Sequence, residues 1–217
     1  VRSSAESKAA EPVVATPAPA EANAQGLNAQ QALERLMAGN KRFVSGQVTA
    51  THRDNPRRSE IAKGQHPIAI VVSCSDSRVP PEMVFDVGMG DIFVVRLAGN
   101  VIDPIAIGSI EYAAEHLHVP LVVVMGHERC GAVTAALGTT APPQHILSIV
   151  ENIQHNLKGT TPDAKDPVDH AVRMNCKAVA AEISKSEPVL KEMVTSGHLR
   201  VVAVRYDLDD GAVEGIK

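Results

Sequence analysis

The chain has 217 residues, 44% of them apolar, enough for one ordinary domain with a sizeable core. Its 21 basic and 25 acidic residues are interspersed and leave a formal net charge of −4, which does not fit the basic footprint of a nucleic-acid binder. No run reaches the ~18 apolar residues of a membrane span, and three cysteines form no disulfide framework. With no Trp, two Tyr and three Phe, the core is expected to be Val, Ile, Leu, Ala and Met, a composition that suits an α/β sheet.

Residues 1–26 are rich in Ala, Pro, Glu and Ser and lack apolar periodicity, so they read as a flexible leader ahead of a single domain over 27–217. The first residue is Val rather than Met, which suggests a processed chain. Such leaders follow removed export signals and also occur in cytoplasmic proteins; the expectation leans towards a periplasmic or exported protein. Asn28 caps a predicted helix from Ala29 to about Ser45, with Leu33, Leu36, Met37 and Val44 near helical spacing. Residues 46–56 read as a loop and Arg57 to Lys63 as a short helix ending at Gly64.

Three apolar runs follow: Ile68 to Val72, Ile92 to Val95 and Leu121 to Met125. Their length and β-branched content predict strands buried on both faces, as in a parallel sheet. Asp103-Pro104 opens a helix carrying Ile105, Ile110, Ala113, Ala114 and Leu117. Gly131 begins a helix to Leu137. Gln144 to Leu157 puts Ile146, Ile149, Val150, Ile153 and Leu157 on one face. Val168 to Ser184 does the same with Val168, Val172, Val179 and Ile183, and Cys176 shares that face as a core thiol. Pro188 starts a further helix stopped at Gly197. Leu199 to Val204 is a last strand, and the Asp209-Asp210-Gly211 turn predicts an antiparallel return at Ala212-Val213. The alternation predicts an α/β fold with a mostly parallel central sheet flanked by helices and an antiparallel C-terminal strand.

Two polar stretches stand at the carboxyl ends of apolar runs, where parallel sheets bind ligands. The first is Cys74-Ser75-Asp76-Ser77-Arg78 and the second Gly126-His127-Glu128-Arg129-Cys130-Gly131. Taken singly, the cysteines read as buried thiols and His127 as a loop histidine. Together, two thiols and an imidazole are the donors zinc favours, and three protein ligands with one open position is the catalytic pattern. Asp76 is either a fourth ligand or leaves that place to water. Arg78 offers Asp76 a planar fork.

On these motifs the chain, from about Leu27 to its C-terminus, resembles the β-class carbonic anhydrases. The resemblance implies one Zn2+ per chain on Cys74, His127 and Cys130, and reversible hydration of CO2 to bicarbonate and a proton by a zinc-activated hydroxide. It implies that Asp76 and Arg78 orient the nucleophile, and that Asp76 becomes a conditional zinc ligand in a closed state. It also implies a homodimer, or a tetramer, with the first helix lying across the partner. By position, Gln65, Phe93, Ala98 and Tyr112 match substrate-site residues of the plant-type, open-site subgroup, the two aromatics coming from the neighbouring subunit. Ala98 departs from that pattern, which usually has valine. A second subgroup carries a bicarbonate site on a Trp–Arg–Tyr trio; Arg96 is present, but Val71 stands where its Trp would be. The alternatives are CS2 or COS hydrolysis on the same scaffold and a non-catalytic bicarbonate-sensing zinc protein.

Overall fold

A computed structural model describes residues 26–217 except 141, 162 and 164. The leader expected over 1–26 thus lies, apart from Gly26, outside the described residues. Among those residues the sheet has five strands in the order β2-β1-β3-β4-β5. They are β1 (Ala69–Ser73), β2 (Ile92–Arg96), β3 (Leu121–His127), β4 (Arg200–Tyr206) and β5 (Val213–Gly215), all parallel except β5, which runs antiparallel to β4. Every residue of β1 and β3 is buried, which is why both read as unbroken apolar runs rather than alternating ones.

The chain passes from β1 to β2 on one side and then crosses to β3 on the other. The strand order therefore reverses between β1 and β3, and the carboxyl ends of these two strands form the crevice where open sheets bind ligands. Ser73 stands opposite Met125, so the residues just beyond, Cys74 and His127, emerge side by side.

Several helices start at side-chain caps. α1 (Ala29–Val44) starts at Asn28, whose side chain accepts from Gln31 N while Gln31 Oε1 accepts from Asn28 N, a reciprocal capping box. It docks on its own body through Ala32, Leu36, Gly39 and Asn40. The Asn40 carboxamide donates to Val84 O and Gly211 O and accepts from Val213 N. α2 (Asn55–Ile61) begins two residues earlier than expected, because Asp54 caps it and Pro56 fits its first turn. α3 (Pro81–Val84), a short helix with no apolar periodicity of its own, joins β1 to β2. α4 (Pro104–Glu111) starts at the Asp103 cap and widens into a π-type turn over Tyr112–His116.

α5 (Gly131–Leu137), α6 (His145–Asn156), α7 (Pro167–Lys185) and α8 (Val189–Thr195) then lead to β4. Ile105 and Ile146 remain exposed although both were expected on an apolar face. Each lies in the first turn of its helix, and the core-facing stripe is carried by Ala106 and Ile110, and by Val150 and Ile153. β4 runs two residues beyond the expected Val204, since Arg205 and Tyr206 still pair with Gly126 and His127.

α7 packs on β3 and β4 with Val172, Cys176, Val179 and Ile183 buried. This packing needs Gly126: a Cβ there would stand 2.3 Å from Cys176 Sγ and 2.9 Å from Val172 Cγ1. Gly126→Ala is therefore expected to cost about 1–3 kcal/mol in urea denaturation, from overpacking. Combining it with Cys176→Ala should recover part of that loss, a non-additivity that reports direct contact.

Candidate metal centre

Cys74 follows β1 directly, His127 is the last residue of β3, and Cys130 is the residue before α5. Between the last two the chain turns through Arg129, whose φ of +50° is unusual for a side-chain-bearing residue. That turn brings Cys130 back to the same crevice. Arg129 is held by Asp209 at 2.7 and 2.9 Å and lies 3.4 Å from Glu128.

The ligand atoms of Cys74, His127 and Cys130 lie within 4.8 Å of one another, and all three residues are buried. His127 Nδ1–H donates to Glu128 O at 2.8 Å, which leaves the lone pair on Nε2. Nε2 is buried and has no hydrogen-bond partner among the described residues. A buried imidazole nitrogen left unpaired is costly unless something else takes its lone pair. Facing two sulfurs, it completes a donor set suited to a thiophilic divalent cation, zinc above all.

The backbone carbonyl that fixes His127 is itself braced. Glu128 N donates to Tyr206 O, and a Glu128 carboxylate oxygen accepts from Leu208 N. Arg205, buried at the end of β4, lies 3.6 Å from Glu128 and pairs with Asp169 and Asp207. Such outer contacts set ring orientation and ligand basicity.

The thiols are unequal. A hydrogen bond from Cys130 lowers the Cys74 thiol, against the opposing effect of burial. The amides of Asp76 and Gly99 add to the lowering; they stand 3.4 and 3.2 Å from Cys74 Sγ. The proton shared with Cys74, then burial and the Cys74 charge, hold Cys130 protonated. Cys176 is a core thiol, as its helical face predicted, and burial pushes it up to about 12.

Asp76 sits at the mouth of this cluster, its Oδ2 3.8 Å from His127 Nε2. Arg78 grips it three ways: backbone N–H to Oδ1 at 2.9 Å, Nε–H to Oδ1 at 3.0 Å and Nη2–H to Oδ2 at 2.7 Å. These bonds hold its carboxyl well below the usual carboxylate range. Arg96 contributes a support that its sequence position alone did not signal. It donates to Cys74 O at 2.9 Å and to Asp76 O at 2.6 Å, pinning the loop that carries both. Ala98 lies in the 3-10 turn Ala98–Asn100, next to the Gly99 amide on Cys74.

The remaining candidates stand apart within one chain. Phe93 pairs in register with Ile70, at the other end of β1, about 13 Å of strand rise from Cys74. Tyr112 packs near Phe93, ring centroids 6.4 Å apart, and is half exposed. Gln65 is exposed in the loop leading into β1.

The sequence matches the family model described as carbonic anhydrase over residues 69–213. It is 39% identical over 188 residues to carbonic anhydrase 2 of Mycobacterium tuberculosis, covering 85% of this chain and 91% of that one. Among solved structures it is similar to the β-carbonic anhydrase CafA of Aspergillus fumigatus, with 27% identity, a TM-score of 0.68, and 85% and 90% of the two chains covered. The fold is also that of a β-carbonic anhydrase of Sordaria macrospora described as tetrameric, with 24% identity, a TM-score of 0.68, and 85% and 96% covered.

Loading the cluster near pH 7 is expected to release fewer protons from the cysteine pair than two separate thiols would, because the shared hydrogen bond already lowers Cys74. Two ordinary thiols would release about two. Calorimetric zinc titrations in buffers of different ionisation heat read the count.

Proposed function

The chain belongs to the carbonic anhydrase family, in its β class, and from that premise we propose that it carries one zinc ion on Cys74, His127 and Cys130 in an open site of the plant-type subgroup. The enzyme hydrates CO2 reversibly to bicarbonate and a proton. The observation that supports zinc most directly is the buried, unpartnered Nε2 of His127 facing Cys74 and Cys130. Zinc, when bound, supplies a Lewis acid that brings the pKa of water near 7.

The chain's own part is positioning. Asp76, kept ionised by Arg78, accepts a hydrogen bond from the attacking water and fixes the direction of its lone pair towards the CO2 carbon. Arg78 also keeps Asp76 from closing over the cluster, and Arg96 holds the loop beneath it. As the new C–O bond forms, the water gives up a proton, which leaves to buffer; bicarbonate departs.

The open-site assignment draws on the intact Asp76–Arg78 fork and on Val71 in place of a Trp. A structure above about pH 8 with an Asp76 carboxylate bonded to zinc would refute it.

In this reading the substrate pocket is shared between two copies. Phe93 and Tyr112 stand too far from their own Cys74 to wall it, yet Tyr112 is half exposed and β2 is an edge strand. A second copy docking there, with α1 lying across it, brings the pair and Gln65 to the partner's crevice, while Ala98 lines the pocket from its own chain.

CO2 hydration by stopped flow over about pH 6 to 9, on protein of known zinc content, tests the assignment as a whole. Asp76→Ala should retain zinc and lose about 10- to 100-fold in kcat/KM. Tyr112→Asp should weaken the dimer by about tenfold or more and depress activity in parallel; sedimentation velocity and rate measurements on the same samples check the coupling.

A further inference from the structure

Asn175, on α7, is wholly buried, and both ends of its carboxamide are committed to residues outside the cluster. Nδ2 donates to Gly99 O at 2.9 Å, and Oδ1 accepts from Asn156 Nδ2 at 2.9 Å. Asn156 donates also to Asn152 Oδ1 at 3.4 Å, one turn back on α6. Beyond Gly99 O the path continues: Gly99's own N–H points at Cys74 Sγ, 3.2 Å away.

The residue between these contacts is conformationally demanding. Gly99 has φ +69° and Asn100 φ +44°, two successive residues in the left-handed region. A Cβ on Gly99 would stand 2.7 Å from Ile153 Cδ1 and 3.1 Å from Ala132 Cβ, so the turn is wedged against α5 and α6. Such a backbone persists only where its surroundings over-determine it. Here the second tether is the next residue of α7, since Asn100 Nδ2 stands 3.7 Å from Cys176 Sγ. Asn175 and Cys176 thus hold Gly99 and Asn100, residue for residue.

We propose that Asn175 is a positioning residue for the metal centre: by gripping the Gly99 carbonyl it aims the Gly99 amide at the Cys74 sulfur and so sets how tightly the cluster holds its cation. The inference rests on Cys74 being a ligand of zinc. An amide donor on a thiolate spreads the sulfur's charge and fixes its direction. Cys74 has two such donors, the amides of Asp76 and Gly99; Arg96 braces the loop that carries the first, and Asn175 grips the carbonyl of the residue that carries the second. The link is one of position, since the gripped carbonyl and the donating amide flank the same Gly99 Cα, and outer-sphere partners commonly govern metal affinity.

The test compares Asn175→Ala with Ile183→Ala, which opens a hole in the same helix away from the turn and serves as the stability control. Zinc affinity is read by chelator competition, and the thiolate-to-metal charge-transfer band after cobalt substitution. Asn175→Ala is expected to weaken zinc by about 10- to 100-fold and to move the band to longer wavelength, as the sulfur becomes more electron-rich. Ile183→Ala should lose thermal stability with parental affinity and band. Should Asn175→Ala not fold, Asn156→Ala, which frees the Asn175 carboxamide, should shift both readouts in the same direction by less. Parental affinity and spectrum in a folded variant at Asn175, or at Asn156 in its stead, overturn the proposal. A parental protein that takes up neither metal overturns the zinc assignment itself, and the inference with it.

Discussion

β1 and β3 hydrogen-bond side by side in parallel register, and this pairing places a thiol and an imidazole 53 residues apart in the chain at the same end of the sheet. The geometry follows from burial. A strand covered on both faces has no polar side to turn outward, so reactive groups appear only where it ends. The reversal of strand order between β1 and β3 then opens a crevice at those ends. Cys130 is added by a short backbone reversal through Arg129.

Within the crevice the groups that a cation must find deprotonated crowd one another. An ionised Cys74 and an ionised Asp76 stand around one point, and the fold answers with donors rather than bulk. Two amides and the Cys130 thiol serve Cys74, while Arg78 serves Asp76. Arg96 clamps the backbone that joins the two residues. Arg78, half exposed, stays near water and escapes much of the penalty of burying a charge. The cluster is thus readied for a cation before one arrives, with Asp76 held at its mouth by Arg78.

Most of this was legible in the sequence wherever the signal is local. Asn28 and Asp103 announce helix starts because capping uses side chains within three residues. Cys74 and His127 stand out because each ends an apolar run. The start of α2 was placed late because the Asp54 cap sits in a polar loop that hides it. Strand order was not legible, since which strands pair depends on crossovers with no mark on either strand. Nor was the work of Arg96, Gly99 and Asn175. A long-range hydrogen bond from Asn175 to Gly99 leaves no periodicity, and a buried asparagine in an apolar helix reads as an imperfection. Phe93 and Tyr112 matched a pattern by position, but one chain's geometry sets them away from their own cluster.

The depth of Cys176 has a practical consequence for handling the protein. With burial holding its thiol at about 12, Cys176 is both shielded and un-ionised at neutral pH, so it is silent towards alkylating and disulfide-exchange reagents in the folded state. The other two cysteines of the chain are the cluster pair. Sulfhydryl labelling of native protein therefore falls on Cys74 of empty centres, the one thiol of the three that is lowered, and labelling in denaturant counts chains. The ratio of the two gives cation occupancy in a preparation without any measurement of catalysis.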